Sequence, residues 1–433
     1  MSPTNRREFL LTASPVVAGA SLIGTSRAWA GANDRIRTAV IGTGGRSKSL
    51  CNEMLQNKNV EIVALADPDQ TRLDARAADI EKATGKRPRV ERDLRKILED
   101  KQIDAVTVVT CNHWHALATI WACQAGKHVY VEKPVSHNVF EGRKLVEAAR
   151  KYNCIVQGGT QRRSWGRFRK AMQLLRDGAI GDIYMSRTVL IQPRESIGFK
   201  EVQAAPAHLD WDLWLGPAQQ QPYHANLTPY NWHWFWEFGN GEMGNNGSHF
   251  LDILRWGTGK GLPSRIYSVG GRVGYKDQAQ TPNTESATFT YDDDSVMQID
   301  IRNFYTAEPQ YEWHFYGSKG YLFMDEDWKE QRFDYKIYMG RNKSAEPDQG
   351  TMETLNHYGN FLDAVRTGSR EKLTCDVDEA RKTSALCHLA AISHRLKREI
   401  RFDPKSEKAI GDEEASRLLT RQYRKPFVVP DKV

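Results

Sequence analysis

No stretch beyond residue 30 of this 433-residue chain approaches the roughly 20 consecutive apolar residues that a membrane-crossing helix requires. Blocks of like charge are absent too: 61 Lys and Arg are interspersed with 54 Asp and Glu, for a net charge of +7. That pattern argues against a nucleic-acid partner. Metal-ligand spacings are missing as well. The six cysteines, Cys51, Cys111, Cys123, Cys154, Cys375 and Cys387, form no Cys-x-x-Cys pair and have no histidine at zinc spacing, so no metal is expected. Four of them lie on apolar stretches of the N-terminal part, where small buried residues are ordinary. A disulfide between Cys375 and Cys387 is left open, and no internal repeat is found.

What is present begins at the N-terminus. Asn5-Arg6-Arg7-Glu8-Phe9-Leu10 opens a mildly apolar run to Ile23, broken by Thr12, Ser14, Pro15 and Gly19 and followed by Arg27-Ala28-Trp29-Ala30. A charged start, a short apolar run and an Ala-x-Ala end predict a twin-arginine export signal at residues 1–30, cleaved after Ala30. An uncleaved anchor or a disordered basic leader would use the same residues. The expectation is a periplasmic or otherwise exported protein with no membrane anchoring after processing. Roughly 400 residues would remain, enough for two domains of about 150 residues each.

From Ile36 short β-branched runs alternate with amphipathic stretches, which predicts a doubly wound parallel sheet. Strands are expected at Ile36–Ile41, Val60–Ala66, Ala105–Val109, His128–Val131 and Ile155–Gln157. The intervening helices are expected near Lys48–Asn57, Gln70–Thr84, Asp93–Asp100, His115–Ala125 and Val139–Lys151. The first turn, Gly42-Thr43-Gly44-Gly45-Arg46-Ser47, matches G-x-G-x-x-G except for Ser47 at the third glycine. Gly42 would permit the tight turn, and Gly44 would let backbone N–H groups approach a pyrophosphate at a helix N-terminus. Asp67, at the end of the second strand, can accept ribose hydroxyls and would repel a 2′-phosphate, so NAD is favoured over NADP. Arg46 and Arg72 leave NADP open. Two more segments fall at strand ends, Thr110-Cys111-Asn112-His113-Trp114-His115 and Glu132-Lys133-Pro134.

Ala125-Gly126-Lys127-His128-Val129-Tyr130-Val131-Glu132-Lys133-Pro134, read with the turn at Gly42 and the later Gly247-Ser248-His249-Phe250-Leu251-Asp252, resembles the Gfo/Idh/MocA oxidoreductases. The resemblance runs from about Arg35 to the C-terminal region. It implies a Rossmann domain (31–160), an α/β domain with an open, mostly antiparallel sheet (161–402) and a tail (403–433), with homo-oligomers formed through that sheet. It implies further that Lys133, His249 and Asn245 are the catalytic positions, with Asn245 standing where many members carry an aspartate. An amide cannot exchange protons, so Glu242 or Asp252 are candidate substitutes. The implied cofactor contacts are Gly42, Thr43, Gly44, Gly45, Arg46, Asp67, Thr110, Asn112, His115, Glu132, Lys133 and Gln161. The implied substrate contacts are Lys133, Arg163, Trp234, Asn245 and His249.

Later segments read as strands at Ile183–Ile191, Ile266–Gly271, Ser286–Tyr291, Val296–Ile301, Trp313–Tyr316 and Tyr321–Met324, with helices at Met352–Arg366, Glu379–Leu396 and Asp412–Gln422. Trp211–Leu215 and Tyr230–Phe238 interleave aromatics with Asn, His and Glu, as a carbohydrate site does. Core packing is the better reading for the Trp211 segment, and the two readings are level for Tyr230–Phe238. The expected activity is NAD(P)-dependent oxidation of a CH–OH group on a sugar or polyol by hydride transfer to a tightly held nicotinamide. A transient keto-sugar used for glycoside cleavage or epimerisation is the alternative, with Glu237, Glu242 or the His224/His233 pair as second base. A non-catalytic sugar-binding relic is the third reading.

Overall fold

Six strands, β1 (Ile36–Ile41), β2 (Val60–Ala66), β3 (Arg89–Glu91), β4 (Ala105–Val108), β5 (His128–Val131) and β6 (Val156–Gly158), pair in parallel in the order β3-β2-β1-β4-β5-β6. The computed structural model describes residues 35–304, 309–327, 332–340, 345–346 and 350–433, so the expected export signal lies outside the described residues. Parallel strands need both faces covered, and the intervening helices supply the cover. These are α1 (Gly45–Leu55), α2 (Gln70–Thr84), α3 (Leu94–Leu98), α4 (Asn112–Gln124) and α5 (Val139–Lys151). Only β3 escapes the periodicity argument, because three residues carry no pattern. The helix α1 begins at Gly45 rather than near Lys48, springing directly from the glycine turn.

The second sheet has ten strands, antiparallel except where Ile183–Ile191 runs parallel to Val296–Arg302. Its alternating inner residues, among them Ile266, Ala287, Phe289, Ile299, Trp313 and Phe315, pack against helices Gly166–Arg176, Gly247–Thr258 and Val377–Leu396. Among the described residues no helix is long and apolar enough to cross a membrane, and no cluster of His, Cys, Asp or Glu is placed to hold a metal ion.

Chain order does not follow the two sheets. Helix His357–Thr367, capped by Asn356, returns to the first sheet and buries Tyr358, Phe361, Leu362 and Val365 beside Leu50 and Tyr130. The polar-looking tail does the same: Phe427 meets the Trp114 ring edge-on at 5.4 Å, and Val429 is buried in the same cluster. All six cysteines are free thiols. Cys375 precedes helix Val377–Leu396 and Cys387 lies in its middle. A helical rise of 1.5 Å per residue separates them by ~15 Å, beyond disulfide reach.

Glu285 lies on the inner face of the large sheet at 4 % exposure, with Ser268 Oγ donating to it at 2.7 Å. Burial pushes its carboxyl up to about 7. Between the ordinary carboxylate range and pH 7 the folded chain therefore holds a proton that the unfolded chain has lost, so stability falls as pH rises through that window. The full loss, present above pH 7, is about 3 kcal/mol. Glu285→Gln keeps the hydrogen bond and removes the charge. In urea denaturation it is expected to match the parent near pH 4 and to exceed it by about 2–3 kcal/mol at pH 8; equal stabilities at pH 8 would refute the assignment.

Candidate active site

The glycine turn closes against the end of β4. Gly42 has φ +95°, and a Cβ on it would sit 2.6 Å from Val109 O, so no other residue fits. Gly44 ends the turn, and α1 starts there without a side-chain cap, leaving its first N–H groups for an anion. Ser47, the departure from the fingerprint, is fully buried; its Oγ donates to Gly44 O at 2.7 Å and accepts from Arg76 Nε at 3.1 Å. The hydroxyl thus braces the turn where a third glycine would only make room.

Asp67 accepts the Thr43 N–H at 2.6 Å and the Thr43 hydroxyl at 3.0 Å on one oxygen, and the Asp69 N–H at 2.9 Å on the other. Burial pushes its carboxyl up against these three bonds. A carboxylate offers about four acceptor positions, so one remains for a ribose hydroxyl. Thr43 shapes Asp67 and does not itself line the cleft. Arg46, considered above as a partner for a 2′-phosphate, is spent elsewhere: its Nε donates to Glu132 at 3.0 Å and its NH1 to Ser49 at 2.7 Å. Arg72 does stand beside Asp67, with its Nε held by Asp69 at 3.2 Å.

These groups line one cleft of about 490 Å3. It runs from Asp67–Asp69, Arg72 and Arg92–Leu94 past Gly42, Gly44, Gly45 and Thr110 to Lys133, His233 and Asn245. Asn112 lines it with a buried side-chain amide nitrogen that has no hydrogen-bond partner among the described residues, a donor fit for a ligand. The glycine turn, the uncapped helix end, the acid at β2 and this free amide fit a dinucleotide laid across the strand ends.

At the far end the loops after β4 and β5 are stitched together. The His115 ring nitrogens lie 2.6 Å from Pro134 O and 3.0 Å from Thr110 O, so His115 fixes the loop that carries Lys133. Glu132 accepts Arg46 and Gln161 Nε2, the latter at 2.9 Å. Burial would raise its carboxyl, but Arg46 and Lys133 outweigh burial and hold it below the usual range. Gln161 also donates to Tyr130 and works behind Glu132, not in the cleft. Lys133 Nζ donates to the backbone carbonyl of Asn245 at 2.8 Å. Burial pushes the ammonium down, with Glu132 and Glu242 opposing.

That bond explains why an amide is tolerated at position 245. Lys133 is held by the main chain, which is indifferent to Asp or Asn in the side chain. The Asn245 amide instead faces Glu242, whose carboxylate, 1 % exposed, takes both Arg194 nitrogens at 3.2 Å and Asn246 Nδ2 at 2.6 Å. Asp252, the other candidate substitute, is consumed by Arg163 at 2.8 and 2.9 Å and by Thr383 at 2.9 Å. Arg163 is therefore a buried structural partner and not a substrate contact. Trp234 is likewise corrected: it is buried beneath the Arg194 guanidinium, 5.8 Å away, and does not line the cleft.

His249 stands in the first turn of helix Gly247–Thr258, outside the cleft lining, and its ring makes no hydrogen bond among the described residues. Burial first, then the charges of Lys133 and Arg162, push its imidazole well below 6.5, so it is neutral. His233 does line the cleft. Its Nδ1 must donate to Tyr230 O, 2.5 Å away, because a carbonyl only accepts; Nε2 is left with a lone pair. The ring stacks on Trp232 at 3.5 Å, and burial pushes it down to about 3. His224, its suggested partner, packs on Phe235 away from the cleft, and Glu237 is bound to Arg421. The neighbouring Trp211 segment is packing, with Trp211 stacked on Trp214 at 4.7 Å.

Residues 36–160 match the NAD-binding Rossmann fold of the GFO_IDH_MocA oxidoreductase family, and residues 197–429 match that family's C-terminal alpha/beta domain. The chain belongs to the Gfo/Idh/MocA oxidoreductase family. NAD is accordingly the cofactor of its cleft. An uncharacterised oxidoreductase of Streptococcus pneumoniae is 26 % identical over 300 residues, covering 67 % of this chain and 68 % of that one. A glycosyl hydrolase family 109 protein of Stenotrophomonas maltophilia is 39 % identical over 139 residues, but only 30 % of each chain is covered. The WlbA dehydrogenase of Bordetella pertussis, solved with NADH and UDP-GlcNAcA, shares the fold with a TM-score of 0.66 at 21 % identity, covering 86 % of this chain and 98 % of that one. Levoglucosan dehydrogenase with NADH and L-sorbose does so at 0.64 and 17 %, covering 85 % and 99 %.

Proposed function

We propose that this member of the Gfo/Idh/MocA family oxidises a CH–OH group of a sugar or sugar derivative, outside the cytoplasm, on a cofactor it does not release, and that the hydride so taken is passed on to the carbonyl of a second sugar, which restores NAD for the next turnover. The observation that carries the reading is the half-buried Lys133 Nζ, held by the Asn245 carbonyl on the same cleft wall as a neutral His233 whose acceptor nitrogen is open. NAD, when bound, supplies the hydride acceptor. Lys133 donates to the reacting oxygen and stabilises the negative charge that develops there. His233, neutral and with Nε2 open on the cleft, takes the hydroxyl proton. The walls of buried aromatic rings exclude water.

Retention follows from the twin-arginine signal. Machinery that exports folded proteins lets NAD be loaded first, and a dissociable NADH would be hard to recycle outside. Glycoside cleavage or epimerisation through a keto-sugar is a second reading, favoured by cofactor retention, since such a cycle returns the hydride to the same sugar. The uncovered face of the large sheet, where Tyr316, Tyr321 and Tyr338 stack in a row and Tyr267 and Val269 are exposed, is proposed as a homo-oligomer contact.

The exported, mature protein, purified without added nucleotide and denatured, is expected to release close to one NAD(H) per chain. Sugar added with excess NAD is expected to give no sustained NADH. Empty protein together with steady NADH production would reduce the reading to a conventional dehydrogenase.

A further inference from the structure

The end of the cleft farthest from Lys133 is roofed by a segment of the second domain. His208–Trp214 crosses the carboxyl end of β2 and is tied to it through backbone. The Gln70 N–H donates to His208 O and the Asp210 N–H to Pro68 O, both at 2.9 Å, around an antiparallel bridge between Asp69 and Leu209. One nitrogen of Arg92 pins both chains, donating to Pro68 O at 3.1 Å and His208 O at 3.3 Å. The downstream end is anchored on α4, where Trp114 Nε1 donates to Leu213 O at 3.1 Å and His113 Nε2 meets Trp214 O at 3.0 Å. Leu209 and Leu213 then line the cleft beside Leu94.

We propose that His208–Trp214 is a strap that covers the adenine of NAD and sets the rate at which the cofactor leaves. The inference rests on the retained-cofactor reading and gives it a structural cause. Asp67 would hold the adenosine ribose at this end of the cleft, and Leu209 and Leu213, which line it there, would offer the adenine an apolar cover suited to its flat face. Departure requires the backbone bridge and the Arg92 pins to open together, because both hold the same short segment. Loading before export would take place while the strap is open.

The test uses the full mature protein and radiolabelled NAD. The parent is expected to keep its label through dialysis, whereas Arg92→Ala and Leu213→Ala should lose it at least tenfold faster while the nucleotide-free forms still melt cooperatively. Variants that hold label as long as the parent would overturn the strap and leave retention standing; a parent that is empty or exchanges freely would overturn retention itself. Should the variants fold poorly, amide exchange on the parent decides. NAD should slow exchange at Gln70 and Asp210, and unchanged exchange at both would defeat the proposal.

Discussion

Lys133→Met should cut sugar turnover by about 10²–10³-fold, which corresponds to ~3–4 kcal/mol of transition-state stabilisation, while bound NAD and melting temperature stay near those of the parent. The expectation rests on position. Nζ is half-buried, oriented by the Asn245 carbonyl, and lines the end of the cleft that it shares with His233 and Asn245. A methionine fills the same space and leaves no donor. Lys133→Arg should not rescue, because a planar fork cannot take the place of a compact ammonium in a filled site. Because burial pushes the Lys133 ammonium below its ordinary range, activity should fall on the alkaline side at a lower pH than an exposed lysine would give. Turnover of Lys133→Met within tenfold of the parent would remove Lys133 from the chemistry.

Arg163→Met is the largest expected stability effect. It would strand Asp252, 1 % exposed, without the two guanidinium bonds that neutralise it. Breaking a buried pair from one side costs about 3–5 kcal/mol, because the remaining charge keeps its desolvation penalty and loses its partner. Urea denaturation measures this directly. Arg163→Met/Asp252→Leu should recover most of the loss, since an apolar pair of similar volume is tolerated in such sites. A sugar-binding arginine would behave in the opposite way: KM would rise and stability would hardly change.

These two residues show how far the chain could be read before folding. The place of Lys133 was legible because its neighbours along the chain form a strand followed by Glu-Lys-Pro, and a strand end in a doubly wound sheet is where ligands bind; its catalytic role was implied only by the family resemblance. Arg163 was misplaced because its partner is 89 positions away and hydrophobic pattern carries no information about ion pairs. Trp234 failed for a related reason: aromatic residues serve cores and sugars equally, and only the position of Arg194 against it separates the two. His233 was one of several candidate second bases, and what singles it out is a tautomer fixed by the Tyr230 carbonyl and a ring facing the cleft.

The amino-acid sequence by itself determined the parallel sheet, the glycine turn, the acid at Asp67 and the family of the second domain. Each of these is written in local signals: period, turn chemistry and short motifs read over a few residues. Only the tertiary structure decided that Ser47 braces the turn and that Asn245 serves Lys133 through its main chain. It alone brought the C-terminal tail back to the first sheet and carried His208–Trp214 over the end of β2 beside Asp67. All four depend on contacts between residues far apart in the chain, where burial and unmet hydrogen bonds choose among partners that no local pattern ranks.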